Sequence, residues 1–256
     1  MDAPGIEVAA VEIPHRFGAP REALAAADAL LGSEALRGVD LALLPEAILT
    51  GYVSPDGDFD LRAFAEPLEG PTASALAALA RKHHVALAGP LIEESGGRLY
   101  NSLLVFDREG RRIGHYRKRH PWFPERWASP GDLEAPMLEI GGARVTAAVC
   151  FDVHFLSEEA GESLDDADLL LFPTAWVDLP PDVDLRAELL PDLARRHGLA
   201  IVNANWGRAG GRLGSFGGPI PGQGGSRILD ARGRVVAQAG PGRGARAVRA
   251  RLPLRR

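Results

Sequence analysis

Cysteine is nearly absent from this sequence, since Cys150 is the only one among 256 residues. A single thiol excludes an intrachain disulfide, which is typical of proteins from a reducing compartment. Long apolar runs are also missing, because no segment approaches the ~18 consecutive apolar residues that a membrane helix needs. The first residues have neither the basic nor the apolar region of a signal peptide. We therefore expect a cytoplasmic protein with no membrane partner.

An excess of positive charge is missing too, since the formal net charge is −5. Nothing in the overall charge therefore predicts a nucleic-acid partner. The segment from Arg227 to Arg256 is a local exception, with nine Arg and one acid, Asp230. A basic segment is a weak signal when no nucleic-acid fold surrounds it. We interpret it as a solvated or subunit-contacting terminal strand and expect no nucleic-acid partner.

Short apolar runs alternate with helical patterns along the whole chain, which predicts an α/β fold. Strands are predicted at residues 6–13, 39–44, 85–93, 99–107, 111–116, 145–149, 168–172, 199–204, 226–230, 234–238 and 245–252. Helices are predicted at residues 21–36, 72–84, 156–164 and 186–197. Neither a repeat nor a linker interrupts the pattern, so we expect a single domain over residues 1–256. Predicted hairpins among the strands indicate mixed rather than purely parallel sheets.

Individual residues predict where these elements begin and end. Thr72 is a candidate N-cap for the second helix, and Gly198 is a natural stop for the last one. Pro173 is expected to end the strand at 168–172. Pro191 is expected to kink or restart the helix that contains it. Residues 207–225 are rich in Gly and Pro, which predicts a long surface loop.

Three chemically capable side chains directly follow predicted strands. Glu46 follows the strand at 39–44, Lys118 follows 111–116, and Cys150 follows 145–149. Ligand sites in α/β folds gather at the carboxyl ends of strands. Taken singly, each residue has an ordinary explanation: a solvated loop acid, a surface cation and a small core residue.

Together these three residue types make up a sufficient catalytic set. A thiol of ordinary pKa is mostly protonated at neutral pH, so it needs a base when it attacks a carbonyl or nitrile carbon. A carboxylate supplies that base, and an ammonium stabilises the oxyanion that forms. Spacing alone does not establish that the three residues meet.

Four segments resemble, in the same order, motifs of the nitrilase superfamily of carbon–nitrogen hydrolases. They are LLPEA at 43–47, YRKRH at 116–120, PERW at 124–127 and AVCFD at 148–152. Supporting matches are FPTAW at 172–176 and NAN at 203–205, and the similarity spans essentially the whole chain. The resemblance implies a four-layer α-β-β-α sandwich with mixed sheets. It also implies a homodimer or larger homo-oligomer, a small-molecule substrate, and neither a metal nor an organic cofactor.

The same resemblance assigns a role to each residue of the matched motifs. It makes Glu46 the general base, Lys118 the oxyanion stabiliser and Cys150 the nucleophile. It makes Glu125 a second glutamate that orients Lys118 or substrate and shares in proton transfer. The backbone N–H of Phe151 would complete the oxyanion site.

Further residues are expected around the substrate, and some depart from the pattern of the superfamily. Tyr52 and Trp176 are candidate pocket residues. So is His154, which stands where amidase-type branches usually have Arg, and this argues against a guanidinium that grips a substrate carboxylate there. Pro121 and Trp122 stand where the superfamily usually has a Leu-rich segment, and Glu12 stands where Gln is common.

The predicted reaction is hydrolysis of a small amide with release of ammonia. The Cys-x-Asp sequence resembles the amidase-like branches, whereas true nitrilases tend to have Trp-Glu after the cysteine. N-carbamoyl compounds and nitriles are the alternative substrates for the same residues. A catalytically silent binding or scaffold protein is the alternative from another class, and a nucleic-acid role is a weaker one.

Overall fold

The computed structural model describes residues 4–177, 183–207, 223–242 and 244–255. Within these residues, twelve strands form two six-stranded mixed sheets. The first sheet contains β1 (Gly5–Glu12), β2 (Leu41–Leu43), β3 (Ala86–Ser95), β4 (Arg98–Phe106), β5 (Arg112–Arg117) and β12 (Arg246–Pro253). Its order is β12-β1-β2-β3-β4-β5, with parallel pairing of β1 with β2 and of β2 with β3.

The second sheet has the same plan of a parallel centre and antiparallel edges. It contains β6 (Leu138–Ile140), β7 (Ala143–Ala147), β8 (Leu169–Thr174), β9 (Ala200–Asn205), β10 (Arg227–Leu229) and β11 (Val235–Gln238). Its order is β11-β10-β9-β8-β7-β6, and β8 pairs in parallel with both β7 and β9. The predicted strands are confirmed apart from their exact ends, and only the short β6 was not predicted.

The alternation of side chains along each strand separates three apolar layers. Val8 of β1 packs with Val145 of β7, so one face of each sheet is buried against the other sheet. Ala9, the next residue of β1, packs instead with residues of the first two helices. Ile201 of β9 packs on the helix beside the second sheet. The expected four-layer α-β-β-α sandwich is therefore confirmed.

The helices on the first sheet are α1 (Pro20–Leu31) and α2 (Pro71–His83). The prediction of one helix over 21–36 was wrong at its end, because the chain leaves the helix at Gly32 and makes a separate 3-10 turn at Glu34–Leu36. Thr72 is not the N-cap of α2. Pro71 takes the first helical position, which needs no N–H, and the Thr72 N–H is satisfied by a Glu66 carboxylate oxygen at 2.9 Å.

Three helices flank the second sheet: α3 (Leu156–Glu159), α4 (Gly161–Asp166) and α5 (Arg186–His197). The single helix predicted at 156–164 was wrong, since non-helical backbone at Ala160 divides it. The α5 helix runs through Pro191 without restarting, and it ends at Gly198 in a left-handed conformation, as predicted. None of the helices in the described ranges is both long and apolar enough to cross a membrane.

Pro173 does not end its strand, contrary to the prediction, because it lies within β8. The Leu171 carbonyl points toward the β7 side, where it accepts a hydrogen bond from Ala148 N–H at 3.1 Å. The backbone nitrogen of Pro173, two residues later, faces the same side but lies beyond the end of β7. Its missing N–H therefore removes no hydrogen bond between these two strands. Most of the loop predicted at 207–225 lies outside the described residues.

Candidate active site

Glu46 lies just beyond the carboxyl end of β2 and is almost fully buried, with 2% of its surface exposed. The next residue, Ala47, has a positive φ of 47°, so the chain turns sharply at this point. One carboxylate oxygen of Glu46 accepts a hydrogen bond from the backbone N–H of Ala175, at 2.8 Å. Glu46 is thereby fixed to the loop that follows β8, in the other sheet.

Lys118 directly follows β5, and its backbone N–H extends the ladder by donating to the Asn101 carbonyl at 2.8 Å. Its side chain is also buried. The Nζ atom lies 2.7 Å from Glu46 Oε1 and 2.6 Å from Glu125 Oε2. One ammonium therefore joins two carboxylates that are distant in sequence.

Asn101 completes this group from the neighbouring strand β4. Its amide Nδ2 donates to Glu46 Oε1 at 2.8 Å and to Glu125 Oε1 at 2.7 Å. We name Glu46, Asn101, Lys118 and Glu125 the carboxylate–lysine cluster. Sequence reasoning missed Asn101, although an amide side chain inside a mostly apolar strand was a usable signal.

The charges in this cluster are not balanced. Burial alone would lower the pKa of Lys118, but the carboxylates of Glu125 and Glu46 outweigh it and raise that pKa. Burial raises the pKa of Glu125, and the Lys118 ammonium only partly opposes this. Lys118 is therefore firmly cationic, whereas two carboxylates compete for its single charge.

Cys150 follows β7 and begins a 3-10 turn over Cys150–His154. Its φ is +47°, an unfavourable value for a residue with a side chain, as is often found at functional sites. Burial raises the pKa of the Cys150 thiol well above its usual range; the Glu46 charge adds to this, and the Lys118 charge opposes it. The thiol is therefore protonated at neutral pH in the absence of substrate.

Asp152 holds this turn in place, a role that sequence reasoning did not assign. Its carboxylate accepts hydrogen bonds from the Tyr116 hydroxyl at 2.8 Å, from His120 N–H at 2.8 Å and from Val149 N–H at 3.0 Å. These three donors tie the turn at Cys150 to β5 and to the residues after Lys118. The aspartate of the Cys-x-Asp sequence therefore holds the turn that carries Cys150 in place.

A cavity of about 120 Å³ opens beside Cys150. Its lining consists of Tyr52, Trp122, Cys150, Phe151, His154, Ala175, Trp176 and Val177. The three predicted pocket residues, and Phe151 of the predicted oxyanion site, are thus brought together with the thiol. The cavity adjoins the carboxylate–lysine cluster, because Ala175 donates its N–H to Glu46 and Trp122 donates its own to Glu125, at 2.6 Å.

The carbon-nitrogen hydrolase family model matches residues 7–248. The chain belongs to this family. An (R)-stereoselective amidase of Pseudomonas sp is 31% identical over 202 residues, which is 78% of this chain and 69% of that protein. A nitrilase of Pyrococcus abyssi is 30% identical over 173 residues, covering 67% of this chain and 66% of the relative.

A solved structure of an amidase from Nesterenkonia sp. superposes with a TM-score of 0.82 at 24% identity. The superposition covers 99% of this chain and 92% of the amidase chain. At this identity the match supports the fold of this chain alone. Among the first curated relatives, the matched region spans 53% and 66% of the relative's own length.

The departures from the family pattern fall at different distances from the cavity. His154 lies at the exposed rim, where partial burial lowers its pKa, and its ring centroid lies 6.0 Å from that of Trp176. Trp122 forms part of the cavity wall. Glu12 is buried and does not line this cavity. It accepts a hydrogen bond from Ser226 N–H at 3.0 Å, and its Oε1 atom lies 3.4 Å from Nε of Arg246.

Proposed function

We propose that this chain is an amidase that releases ammonia from a small amide through a thioester on Cys150. The observation that carries the proposal is one buried ammonium held between two carboxylates, next to a cavity that contains the only thiol of the chain. In this proposal Glu46 is the general base, and Lys118 stabilises the oxyanion. Glu125 orients Lys118 and shares in proton transfer.

Acylation begins when Cys150 Sγ attacks the amide carbon. Because burial raises the pKa of the thiol, its proton leaves during the attack and passes to Glu46. The carbonyl oxygen becomes an oxyanion, which the Lys118 ammonium and the Phe151 backbone N–H stabilise. The carbon–nitrogen bond then breaks as Glu46 returns the proton to nitrogen, and ammonia leaves.

Deacylation uses the same residues on water. Glu46 accepts a proton from water as the oxygen attacks the thioester carbon, and Lys118 again faces the oxyanion. The carbon–sulfur bond breaks, and the thiolate recovers its proton from Glu46 as the carboxylic acid departs. The net reaction consumes one amide and one water, and it yields one acid and one ammonia.

The choice of an amide over a nitrile rests on the Cys-x-Asp sequence and on the amidase among the relatives. In this chain Asp152 accepts three hydrogen bonds that fix the turn of the nucleophile, which gives the aspartate a physical role. N-carbamoyl compounds and nitriles remain the alternative substrates, since they present a similar electrophilic carbon to the thiol.

Mass spectrometry of the intact protein during turnover tests the proposal. The panel holds small primary amides, ω-amides of dicarboxylic acids, N-carbamoyl amino acids and nitriles, with ammonia measured in parallel. We expect a transient acyl adduct on Cys150, detected after acid quench, and ammonia from a primary amide. The Cys150→Ala variant should show neither.

A silent scaffold predicts a different result from the same experiment. It gives neither adduct nor ammonia with any compound in the panel. It also gives no preference of Cys150 for haloacetamides, which carry the amide group, over alkylating agents of similar size that lack one. A preference for haloacetamides that disappears in Glu46→Gln would contradict the scaffold.

Assembly and location are also proposals. We propose that the protein forms a homodimer or larger homo-oligomer, as the family resemblance implies, and that it acts in the cytoplasm. Sedimentation velocity of the purified chain tests the first. Fractionation of cells that produce it tests the second.

A further inference from the structure

His15 lies outside the cavity, yet it holds part of the cavity wall in place. It follows β1, and its Nε2 atom accepts hydrogen bonds from the backbone N–H of Tyr52 at 3.0 Å and of Val53 at 3.2 Å. Tyr52 and Val53 are buried, with 3% and 0% of their surfaces exposed. A residue 37 positions away therefore satisfies two consecutive buried N–H groups.

The protonation state of His15 suits this role. Burial lowers its pKa to about 4, and a hydrogen bond with its own backbone only partly offsets this. At neutral pH the imidazole is uncharged, and the Nε2 lone pair is available to accept. Without that acceptor, both buried N–H groups would lose their partner in this part of the fold.

The segment that His15 holds, Tyr52 and Val53, contributes the Tyr52 ring to an aromatic cluster. The Tyr52 ring stacks on Trp122 with centroids 6.4 Å apart, and it meets the edges of Phe59 at 5.7 Å and Trp206 at 6.1 Å. The His15 ring itself lies edge-on to Trp206 at 4.7 Å. Tyr52 and Trp122 line the cavity beside Cys150, and we call this pair the aromatic wall.

Trp206 extends the same connection to another residue of the cavity lining. Its indole N–H donates to the Trp176 carbonyl at 3.0 Å, and Trp176 lines the cavity as well. His15 therefore contacts two structures that position the cavity lining: the backbone under Tyr52 and the ring of Trp206.

We propose that His15 is a positioning residue for the aromatic wall and that it thereby sets how well the enzyme uses larger acyl groups. The proposal rests on the function proposed above, because it takes the cavity as the acyl-binding site. A two-carbon acyl group leaves much of a cavity of about 120 Å³ empty, whereas a four-carbon group contacts its walls. Displacement of the wall should therefore affect the larger substrate more.

Two variants and a matched control separate this role from a general loss of stability. His15→Phe keeps an aromatic edge against Trp206 and removes the acceptor. His15→Gln places an amide oxygen near the position of Nε2 and restores the acceptor. His83→Phe is the control, since His83 is also a largely buried imidazole but contacts Asp28, away from the cavity. Thermal unfolding checks that each variant is folded.

Hydrogen–deuterium exchange at residues 52 and 53 is the first measurement, and it does not depend on activity. We expect exchange about tenfold faster in His15→Phe than in the native chain, near-native protection in His15→Gln, and no change in His83→Phe. Unchanged protection in His15→Phe would overturn the proposal. If His15→Phe does not fold, His15→Leu, which also removes the acceptor, is measured in its place: faster exchange supports the proposal, and unchanged protection overturns it.

The second measurement is the ratio of kcat/KM for butyramide to kcat/KM for acetamide. We expect this ratio to fall about fivefold in His15→Phe, mainly through KM for butyramide, and to recover in His15→Gln. Faster exchange with an unchanged ratio would overturn the role in selectivity. If the native chain releases ammonia from none of the amides in the panel, the proposed function fails, and the exchange result still decides whether His15 positions the wall.

Discussion

Two buried charge clusters lie side by side at the end of β5. They differ in how far the charge of a buried carboxylate is compensated by its neighbours. Lys118 belongs to the carboxylate–lysine cluster, whereas the preceding residue, Arg117, pairs with Glu93. Adjacent residues of a strand face opposite sides, which separates the two clusters. Glu93 also receives hydrogen bonds from Ser102 at 2.6 Å and His115 at 2.8 Å. We call Glu93, Ser102, His115 and Arg117 the Glu93 cluster.

The two carboxylates differ in pKa because their compensation differs. Burial would raise the pKa of Glu93, but hydrogen bonds from His115, Arg117 and Ser102 outweigh it and lower that pKa to about 2. Burial raises the pKa of Glu125, which shares one ammonium with Glu46. A fully compensated carboxylate stabilises structure, whereas an incompletely compensated group retains the capacity to exchange a proton.

The largest expected effect comes from removing the cation of the carboxylate–lysine cluster. Lys118→Met leaves two buried carboxylates without an ammonium and removes the proposed oxyanion stabiliser, so we expect kcat to fall by at least ~10³-fold. The chain offers a matched control, since Lys82 is its only other lysine and pairs with Asp28 at the surface. Lys82→Met should retain native kcat, and an equal loss in both variants would contradict the assignment.

The second prediction compares the same substitution, Glu to Gln, in the two clusters. Glu46→Gln removes the proposed base and should lower kcat by ~10²–10⁴-fold. Glu93→Gln should leave kcat within ~5-fold of native but lower the free energy of unfolding by about 2–3 kcal/mol, because the Arg117 guanidinium loses its buried charged partner and keeps only the half-exposed Asp132. Urea unfolding and steady-state kinetics on both variants are the measurements. A large loss of kcat in Glu93→Gln would show that the clusters are not separable.

The Glu46, Lys118 and Glu125 members of the carboxylate–lysine cluster could be foreseen from sequence, because they belong to local motifs that resemble those of a known family. The four-layer sandwich was foreseen through the family resemblance, whereas the strand pattern alone predicted an α/β fold with mixed sheets. The partners of Asn101 and His15 could not be foreseen, because long-range contacts set them; for Asn101 the sequence offered only the presence of an amide within a strand. Helix ends such as Gly32 and Ala160 were missed because weak local signals there compete with a continuing apolar pattern.

Strand register explains why the Glu93 cluster was also missed. Ser102 of β4 lies opposite Arg117 of β5, so both reach Glu93 only in this pairing. A shift of one residue would turn Arg117 toward the carboxylate–lysine cluster. Sequence reasoning identified Lys118 within Arg117-Lys118-Arg119 through resemblance, but only the folded sheet separates its role from that of its neighbour.

The third prediction concerns acid stability. The lowered pKa of Glu93 contributes stability above its unfolded-state pKa, and this contribution is lost as pH falls from about 4.5 to about 2. The shift corresponds to about 3 kcal/mol of unfolding free energy. Glu93→Gln should therefore flatten the pH dependence of stability in this window. Because the pKa of Glu125 is raised, its contribution to the pH dependence lies above the unfolded-state pKa and outside this window, so Glu125→Gln should leave the acid-side slope in place. Urea titrations between pH 2 and 5 measure both slopes.

The smallest expected effect comes from adding a cation at the rim of the cavity. Because partial burial lowers the pKa of His154, its imidazole is uncharged at neutral pH and adds no positive charge at the rim. His154→Arg supplies a permanent charge at an exposed position, where an ion pair contributes only ~0.2–1 kcal/mol. We expect kcat/KM for acetamide within ~2-fold of native and a rise of up to ~5-fold for an ω-amide that carries a carboxylate. A rise that persists at high salt would argue for direct contact with the substrate, whereas a rise that salt abolishes would indicate steering at the rim alone.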